Sequence, residues 1–155
     1  MPSSSPRTWI LTGSPENYEA TREHGFRVIG IKERNRARAL QIEPGDRIVL
    51  YLTRVMAFAA RVRVSGALYE DREKIWPGKP GNPDAYPWRF ATEPEIVLEQ
   101  EDWLAAQELA TQLEHVRKWP PEHWKLAFQG QLRVVSQADS DLLEQRMSAR
   151  AGASV

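Results

Sequence analysis

Alternating apolar and polar positions divide the first part of the chain into short strands and turns. The β-branched and apolar run from Thr8 to Thr12 predicts a first strand. Ser14 followed by Pro15 supplies a helix N-cap and a proline at the first helical position, so we expect a helix to about His24. The chain therefore begins with a strand, a tight turn and a helix.

Two further elements follow this helix. The segment from Lys32 to Leu40 is polar, Arg-rich and made of good helix formers, which predicts a short helix. Pro44 and Gly45 fit the central positions of a type II turn. The run from Arg47 to Thr53 is apolar on both faces, which is typical of a strand in the middle of a sheet.

A cleaner alternation covers Phe58 to Tyr69 and predicts a strand with one face in water. The residues expected to face the core are Phe58, Ala60, Val62 and Val64, and those expected to face solvent are Arg61, Arg63 and Ser65. Because this strand follows the previous one after a short connection, the two should form an antiparallel hairpin.

Proline and glycine punctuate the segment from Asp71 to Tyr86, which predicts a long loop. Pro87 to Leu98 is expected to form a strand, or two strands interrupted at Pro94. An apolar stripe formed by Ala106, Leu109, Leu113 and Val116 predicts a helix from Asp102 to about Lys118.

The C-terminal part predicts one last strand and one last helix. Leu132 to Val135 is a short apolar run, and Ser136 followed by Asp139 resembles a capping box at the start of a helix through Met147. We expect an α+β fold with five or six mainly antiparallel strands in a partly open barrel flanked by helices. The domain should span residues 8–148, between a flexible N-terminus (1–7) and a flexible tail (149–155).

The composition fits one globular domain, because 155 residues can bury a sizeable core but leave little for a second domain. The chain has no cysteine, which excludes disulfides, thiolate metal sites and cysteine nucleophiles. Neither a secretory signal nor an apolar run of membrane-spanning length is present, so a cytoplasmic location is the expectation.

The net charge is zero, but the charges are segregated along the chain. Between residues 22 and 38 basic side chains dominate, whereas five acids and no base lie between Glu93 and Asp102. The side chains that we expect to contact a phosphate backbone are Lys32, Arg34, Arg36 and Arg38, although the same pattern also fits the solvated face of a short helix.

Signatures of catalysis or metal binding are missing: there is no Gly-rich phosphate loop, nucleophile elbow or pair of histidines at metal spacing. We therefore expect no catalytic residue, metal or cofactor. Six tryptophans are many for this length. Most fit core packing, but Trp76 lies in the predicted loop, where an indole face can stack on a flat base.

Several short motifs, in this order and spacing, resemble the EVE family, relatives of the YTH readers of methylated adenine in the PUA-like superfamily. The resemblance spans Thr8 to about Leu143. Its landmarks are Trp9-Ile10-Leu11-Thr12 followed by Glu16-Asn17-Tyr18, the segment at Gly30, Pro44-Gly45-Asp46 leading into Tyr51, Tyr86-Pro87-Trp88-Arg89, and Trp124 to Gly130 followed by Arg133 and Asp141.

This resemblance implies a pocket between the first helix and the sheet that accepts one modified base flipped out of DNA or RNA. Asn17 aligns with an asparagine that hydrogen-bonds the base edge, Gly30 with a residue whose backbone contacts the base, and Trp76 with an aromatic wall. Ile29 stands where many relatives have an aromatic residue, so an aliphatic group would line one side. Further pocket candidates are Tyr86, Trp124 and Phe128.

Two other functions stay open at this stage. Related ASCH domains include small hydrolases that act on modified nucleosides or RNA, and Lys32 and Asp46 are the candidate groups for such chemistry here. A protein-interaction module is a third possibility if Trp88, Trp103 and Trp119 are displayed on the surface.

Overall fold

The computed structural model describes residues 6–77, 85–128 and 130–153. The strands are β1 (Thr8–Gly13), β2 (Val28–Ile31), β3 (Arg47–Leu52), β4 (Ala57–Val64), β5 (Tyr69–Glu70), β6 (Trp88–Val97), β7 (Leu104–Ala105) and β8 (Leu132–Val135). The α-helices are α1 (Pro15–Glu23), α2 (Arg36–Ala39), α3 (Glu114–Arg117) and α4 (Gln137–Ala153). Four 3₁₀ segments span Glu33–Asn35, Gln100–Asp102, Ala106–Leu109 and Pro121–Phe128.

The strands form one curled, open half-barrel sheet in the order β2-β6-β4-β3-β1-β8, with β5 paired to β6 and β7 paired to β4. Only the pairing of β1 with β3 is parallel among the described strands; the other pairs are antiparallel. The predicted α+β class and the partly open, mainly antiparallel barrel are confirmed. The sheet has eight strands, more than the five or six expected.

Both faces of the sheet carry a hydrophobic core. Trp9 and Leu50 belong to the cluster on the α1 side, whereas Val49 and Phe58 belong to a cluster with α4 and the C-terminal 3₁₀ segments. Because β3 lies between β4 and β1 and is buried on both sides, its predicted central position is confirmed. The predicted hairpin of β3 and β4 is also confirmed.

The expectation that β4 has one face in water is wrong. Arg61 is only 8% exposed, and its guanidinium donates to Glu144 of α4 over 2.9 Å and lies 3.2 Å from Glu95. The helix α4 covers this face, and no local pattern in β4 shows that a helix some eighty residues later will pack there. The strand also ends at Val64, before the predicted Tyr69.

The predicted helix from Asp102 to Lys118 is wrong as a continuous element. Leu104–Ala105 pairs with β4 instead, and only Glu114–Arg117 forms an α-helical turn. The apolar stripe that suggested the helix is nevertheless buried: Ala106, Leu109 and Leu113 have no exposed surface, and Val116 is 2% exposed. Tertiary packing against β4 outweighs the helical periodicity of this segment.

The last helix begins where expected, since Ser136 Oγ accepts a hydrogen bond from the Asp139 backbone N over 3.2 Å. It continues beyond Met147 to Ala153, into the segment expected to be a flexible tail. The Asp139 carboxylate also accepts from the backbone N of Glu114 and His115 over 2.7 and 2.9 Å. One carboxylate therefore fixes α3 to the start of α4.

Two smaller differences concern β6 and β2. The strand β6 is continuous through Pro94. In place of the expected interruption, its register against β4 shifts between Arg61 and Val62. The strand β2 was not predicted, because only its pairing with β6 makes a strand of so short a run containing a glycine. Part of the expected loop, residues 78–84, lies outside the described residues.

Candidate functional site

The sheet is open between its two end strands, β2 and β8, and side-chain hydrogen bonds link the segments next to them. Gln131 Oε1 accepts from the Lys32 backbone N over 2.9 Å and from Asn35 Nδ2 over 3.1 Å. Arg38 adds a second link by donating to the Leu132 carbonyl over 2.7 Å. These bonds hold the strands close enough to enclose space while leaving the barrel unsealed.

A cavity of about 360 Å³ lies at this opening, between α1 and the carboxyl ends of β1 and β3. It is lined by Leu11, Thr12, Gly13, Ser14, Asn17, Tyr18, Thr21, Ile29, Gly30, Lys32, Arg34, Leu50, Tyr51, Leu52, Thr53, Trp76, Tyr86, Phe128, Gly130 and Gln131. The lining combines aromatic and aliphatic surface with amides, hydroxyls and cations.

Helix α1 presents two polar side chains to the cavity. Ser14 Oγ accepts from the Asn17 backbone N over 3.1 Å, which fixes the first turn of the helix. Asn17 and Thr21 are four residues apart and so share one helix face. Asn17 Nδ2 donates to Tyr86 Oη over 3.0 Å, and Thr21 Oγ1 accepts from Trp76 Nε1 over 2.8 Å. The helix thereby positions both aromatic side chains of the opposite wall.

Trp76 forms a rigid wall of the cavity. Its indole is 3% exposed, is fixed by the bond to Thr21, and has the guanidinium carbon of Arg89 at 5.1 Å from the ring. Gly30 lies directly against the ring, where a Cβ would be 2.7 Å from the indole Cη2. Only glycine at position 30 leaves room for the indole in this place.

Tyr86 closes the wall beside Trp76. The two rings meet edge to face, with centroids 5.9 Å apart and an interplanar angle of 67°. Its backbone φ is +53°, an unusual conformation for a tyrosine, and the Lys32 ammonium lies 5.8 Å from its ring centroid. The ring therefore contacts the aromatic wall, the amide of Asn17 and a cation together.

Two further tyrosines of the lining, Tyr18 and Tyr51, are buried. Burial raises the pKa of Tyr18 to about 12, and it raises the pKa of Tyr51 to about 12 as well. Both phenols are uncharged hydrogen-bonding groups at neutral pH, as a tyrosine with the ordinary pKa of 10 would also be.

The four predicted phosphate-contacting residues divide into two pairs. Lys32 and Arg34 line the cavity. Arg36 lies outside it, with its guanidinium carbon 4.8 Å from the ring centroid of Trp88, and Arg38 is engaged with the Leu132 carbonyl. The structure thus brings half of the predicted basic set to the cavity and uses the other half in packing and bridging.

Of the predicted pocket residues, Asn17, Ile29, Gly30, Trp76 and Tyr86 line one cavity. Trp124 is not among the described lining residues. It packs edge-on against Phe128, with ring centroids 6.3 Å apart, and belongs to the C-terminal hydrophobic cluster. Phe128 itself lines the cavity, so position 124 supports the wall from behind.

Asp46, a candidate for hydrolytic chemistry, has a structural role away from the cavity. It is 3% exposed and accepts from Trp9 Nε1 over 3.0 Å and from the backbone N of Arg7 and Glu43 over 3.0 and 3.1 Å. These bonds fasten the turn at Gly45, whose φ is +98° as the predicted turn requires.

Several lining residues were missed from the sequence. Thr21 could have been found from its spacing of four residues from Asn17 on the same helix. The contribution of Thr53 could have been found from the parallel alignment of β1 and β3 only if that pairing were known. Gln131 has no sequence signature, because its role depends on two strands that are distant along the chain.

Elsewhere in the residues that the structure describes, no group of three or more His, Asp or Glu side chains is arranged to hold a metal ion. A second, smaller cavity lies at the opposite end of β1 and contains Arg47 and Arg61, whose side chains both pair with Glu95. No helix within the described ranges is both long and apolar enough to span a membrane.

A mixed half-barrel with a cavity at its open edge defines a small α+β domain. The family model of the EVE domain matches residues 7–145, and the chain therefore belongs to the EVE domain family. No curated protein matched the sequence significantly.

Solved structures of similar fold include three that cover nearly the whole chain. A hypothetical protein from Leishmania major is 12% identical, with a TM-score of 0.65, and the match covers 96% of this chain and 99% of that one. The YTH domain of Zygosaccharomyces rouxii MRB1, solved with N6-methyladenosine RNA, is 13% identical, with a TM-score of 0.65 and coverage of 95% and 90%. The Pho92 YTH domain with m6A is 13% identical, with a TM-score of 0.66 and coverage of 95% and 85%. These likenesses establish the fold.

Proposed function

We propose that this protein binds a modified nucleobase in DNA or RNA, without catalysing a reaction on it, by accepting one base flipped out of its strand. The observation that carries this proposal is the convergence of Asn17, Gly30 and Trp76 on one cavity of about 360 Å³. Cavities of roughly 300–1,000 Å³ are typical of sites for small organic ligands.

The chemistry of the lining suits a planar, polar heterocycle. An amide such as that of Asn17 has both donor and acceptor atoms for a base edge, and an indole gives a flat apolar surface for its face. Ile29 is 1% exposed and adds an aliphatic patch beside Gly30. A methyl or similar group on the base gains dispersion contacts from such dry surface, which favours a modified base over its plain counterpart.

Lys32 and Arg34 give the lining a positive side on a molecule of zero net charge. We expect them to attract the phosphates that flank the flipped nucleotide, because local potential, not net charge, steers a phosphate backbone. Two structural neighbours support the same class of ligand: the YTH domain of Zygosaccharomyces rouxii MRB1, solved with N6-methyladenosine RNA, and the Pho92 YTH domain, solved with m6A.

The two alternatives have less support. The hydrolase hypothesis named Lys32 and Asp46, but Asp46 is committed to three structural hydrogen bonds away from the cavity. The interaction-module hypothesis needs displayed tryptophans, yet Trp88, Trp103 and Trp119 are each half-buried.

A binding screen tests the proposal. The protein is titrated into short labelled DNA and RNA strands that carry 5-methylcytosine, 5-hydroxymethylcytosine or N6-methyladenine at one position, each beside its plain counterpart. We expect at least one modified strand to bind about tenfold more tightly than its plain counterpart, a difference of about 1.4 kcal/mol. Equal affinities across the panel, or release of a product on incubation with RNA or acylated nucleosides, would contradict the proposal.

A further inference from the structure

The connection between β3 and β4 adopts positive φ angles although it carries no glycine, and it is therefore strained. The Val55 backbone N donates to the Thr53 carbonyl over 2.7 Å, and Arg54 between them has a φ of +65°. This is a γ-turn with a positive central φ, a rare and unfavourable conformation for a side-chain-bearing residue. Met56 also has a positive φ, of +53°. Strain of this kind persists only where the surrounding structure holds it.

Backbone hydrogen bonds and an ion pair hold this turn. The Thr53 backbone N donates to the Gly13 carbonyl over 2.9 Å, and the Met56 carbonyl accepts from the Ala106 backbone N over 2.9 Å. Arg54 also donates to Glu16 in an ion pair at the surface, and this hydrogen bond lowers the pKa of Glu16. The turn is thereby fixed to the end of β1, to the start of α1 and to the segment after β7.

The residue that this fixed turn displays is apolar. Val55 is 48% exposed, although its neighbours on both sides are anchored. Thr53 lines the cavity, and Glu16, the partner of Arg54, directly precedes the cavity residue Asn17. An exposed aliphatic side chain on an anchored turn therefore lies two residues from the cavity residue Thr53.

We infer that Val55 is a wedge that occupies the gap left when a base leaves a double helix, so that this protein takes its base from paired DNA or RNA. This inference rests on the function proposed above. A flipped base leaves its former neighbours without stacking contacts, and an inserted apolar side chain replaces part of them. A wedge must be rigid, because a mobile side chain would lose conformational freedom on insertion. The strained, anchored turn supplies that rigidity.

The test compares Val55→Ser with wild-type protein on two forms of one probe. The probe is the strand with the modified base that binds most tightly in the screen, offered as a single strand and annealed to its complement. Val97→Ser is the matched control, because Val97 is also exposed, at 41%, but lies at the end of β6 on the far side of β4. Serine keeps the turn backbone and removes the apolar surface.

We expect Val55→Ser to weaken binding to the modified duplex about tenfold and to change binding to the single strand by less than about twofold. The reason is that only a duplex is left with a gap between stacked base pairs when the base flips out. Val97→Ser should change neither. A fluorescent 2-aminopurine beside the modified base should brighten less with Val55→Ser than with wild type, because less of the duplex is opened. Equal effects on both probe forms, or no effect on either, would overturn the wedge. Equal binding of the modified and the plain single strand by wild-type protein would instead refute the proposed function.

Discussion

The indole of Trp76 lies so close to the backbone of Gly30 that a Cβ at position 30 would sit 2.7 Å from the indole Cη2 and 2.9 Å from the Tyr86 Cβ. Both contacts are far inside ordinary van der Waals separation. The aromatic wall of the cavity therefore depends on the absence of a single methyl group. Because Trp76 is also tied to Thr21, the indole has little freedom to move away.

Replacing Gly30 by alanine tests this dependence. We expect Gly30→Ala to displace the indole, to weaken binding of the modified strand about tenfold or more, and to cost roughly 1–3 kcal/mol of the free energy of unfolding through overpacking. Gly66→Ala is the control, since a Cβ there meets the Ala91 Cβ at an ordinary 3.5 Å. Affinity by fluorescence anisotropy and stability by urea unfolding give both readouts, and a Gly30→Ala protein with wild-type values in both would contradict the packing argument.

A second prediction concerns the hydrogen bond between Asn17 and Tyr86. Tyr86→Phe keeps the ring but removes the hydroxyl to which Asn17 Nδ2 donates over 3.0 Å. We expect binding of the modified strand to weaken several-fold, because the amide loses the partner that orients it, at a cost of roughly 0.5–1.5 kcal/mol. In a double-mutant cycle with Asn17→Ala, the two losses should not add. Strictly additive losses would show that the two groups act separately.

The basic residues should separate into two functional pairs. Lys32→Ala and Arg34→Ala are expected to weaken binding of modified and plain strands by the same factor and each to reduce the salt slope by about one unit. Arg36→Ala removes the same charge from a guanidinium that lies over Trp88 outside the cavity, so its effect should be smaller. Titrations at several salt concentrations measure both quantities. A larger loss for Arg36→Ala would move the phosphate path to the α2 surface.

A fourth prediction concerns pH and the buried His115. Its Nε2 lies 2.7 Å from the Ala127 carbonyl, next to the cavity residue Phe128, and burial lowers the pKa of His115 below its ordinary 6.5. The unfolded chain therefore binds a proton at a higher pH than the folded protein does. Stability from this group is complete above the unfolded value of 6.5 and declines as the pH falls below it.

Urea unfolding of wild type and His115→Gln at about pH 7.5 and about pH 5.5 measures this effect. We expect wild type to lose more stability than His115→Gln between the two pH values, whereas His123→Gln, at an exposed position, should behave as wild type. A wild-type loss no larger than that of His115→Gln would contradict the assignment.

Local sequence patterns predicted elements whose formation depends on local chemistry. Ser14 caps α1 as expected, because a serine before Pro15 can satisfy a free backbone N in any context. Gly45 adopts the positive φ that its turn needs, because glycine has no Cβ to oppose it. The helix predicted from Asp102 failed because an apolar stripe shows which residues are buried without showing what buries them.

The cavity was predictable only in part. Asn17, Gly30 and Trp76 were identified through resemblance to a family, and the structure brings them to one cavity. Gln131 and the buried Arg61 were missed, because each depends on contacts between segments that are distant along the chain. Periodicity within one segment carries no information about such contacts.

The central claim is that the modified base enters the cavity, and side-chain resonances of ¹⁵N-labelled protein test it most directly. On titration with the modified single strand, the indole N–H of Trp76 and the side-chain amide of Asn17 should shift, whereas the indole N–H of Trp124, behind the cavity wall, should shift much less. The plain strand at the same concentration should leave all three near their starting positions. Shifts of Trp124 that exceed those of Trp76 and Asn17 with the modified strand would contradict the account.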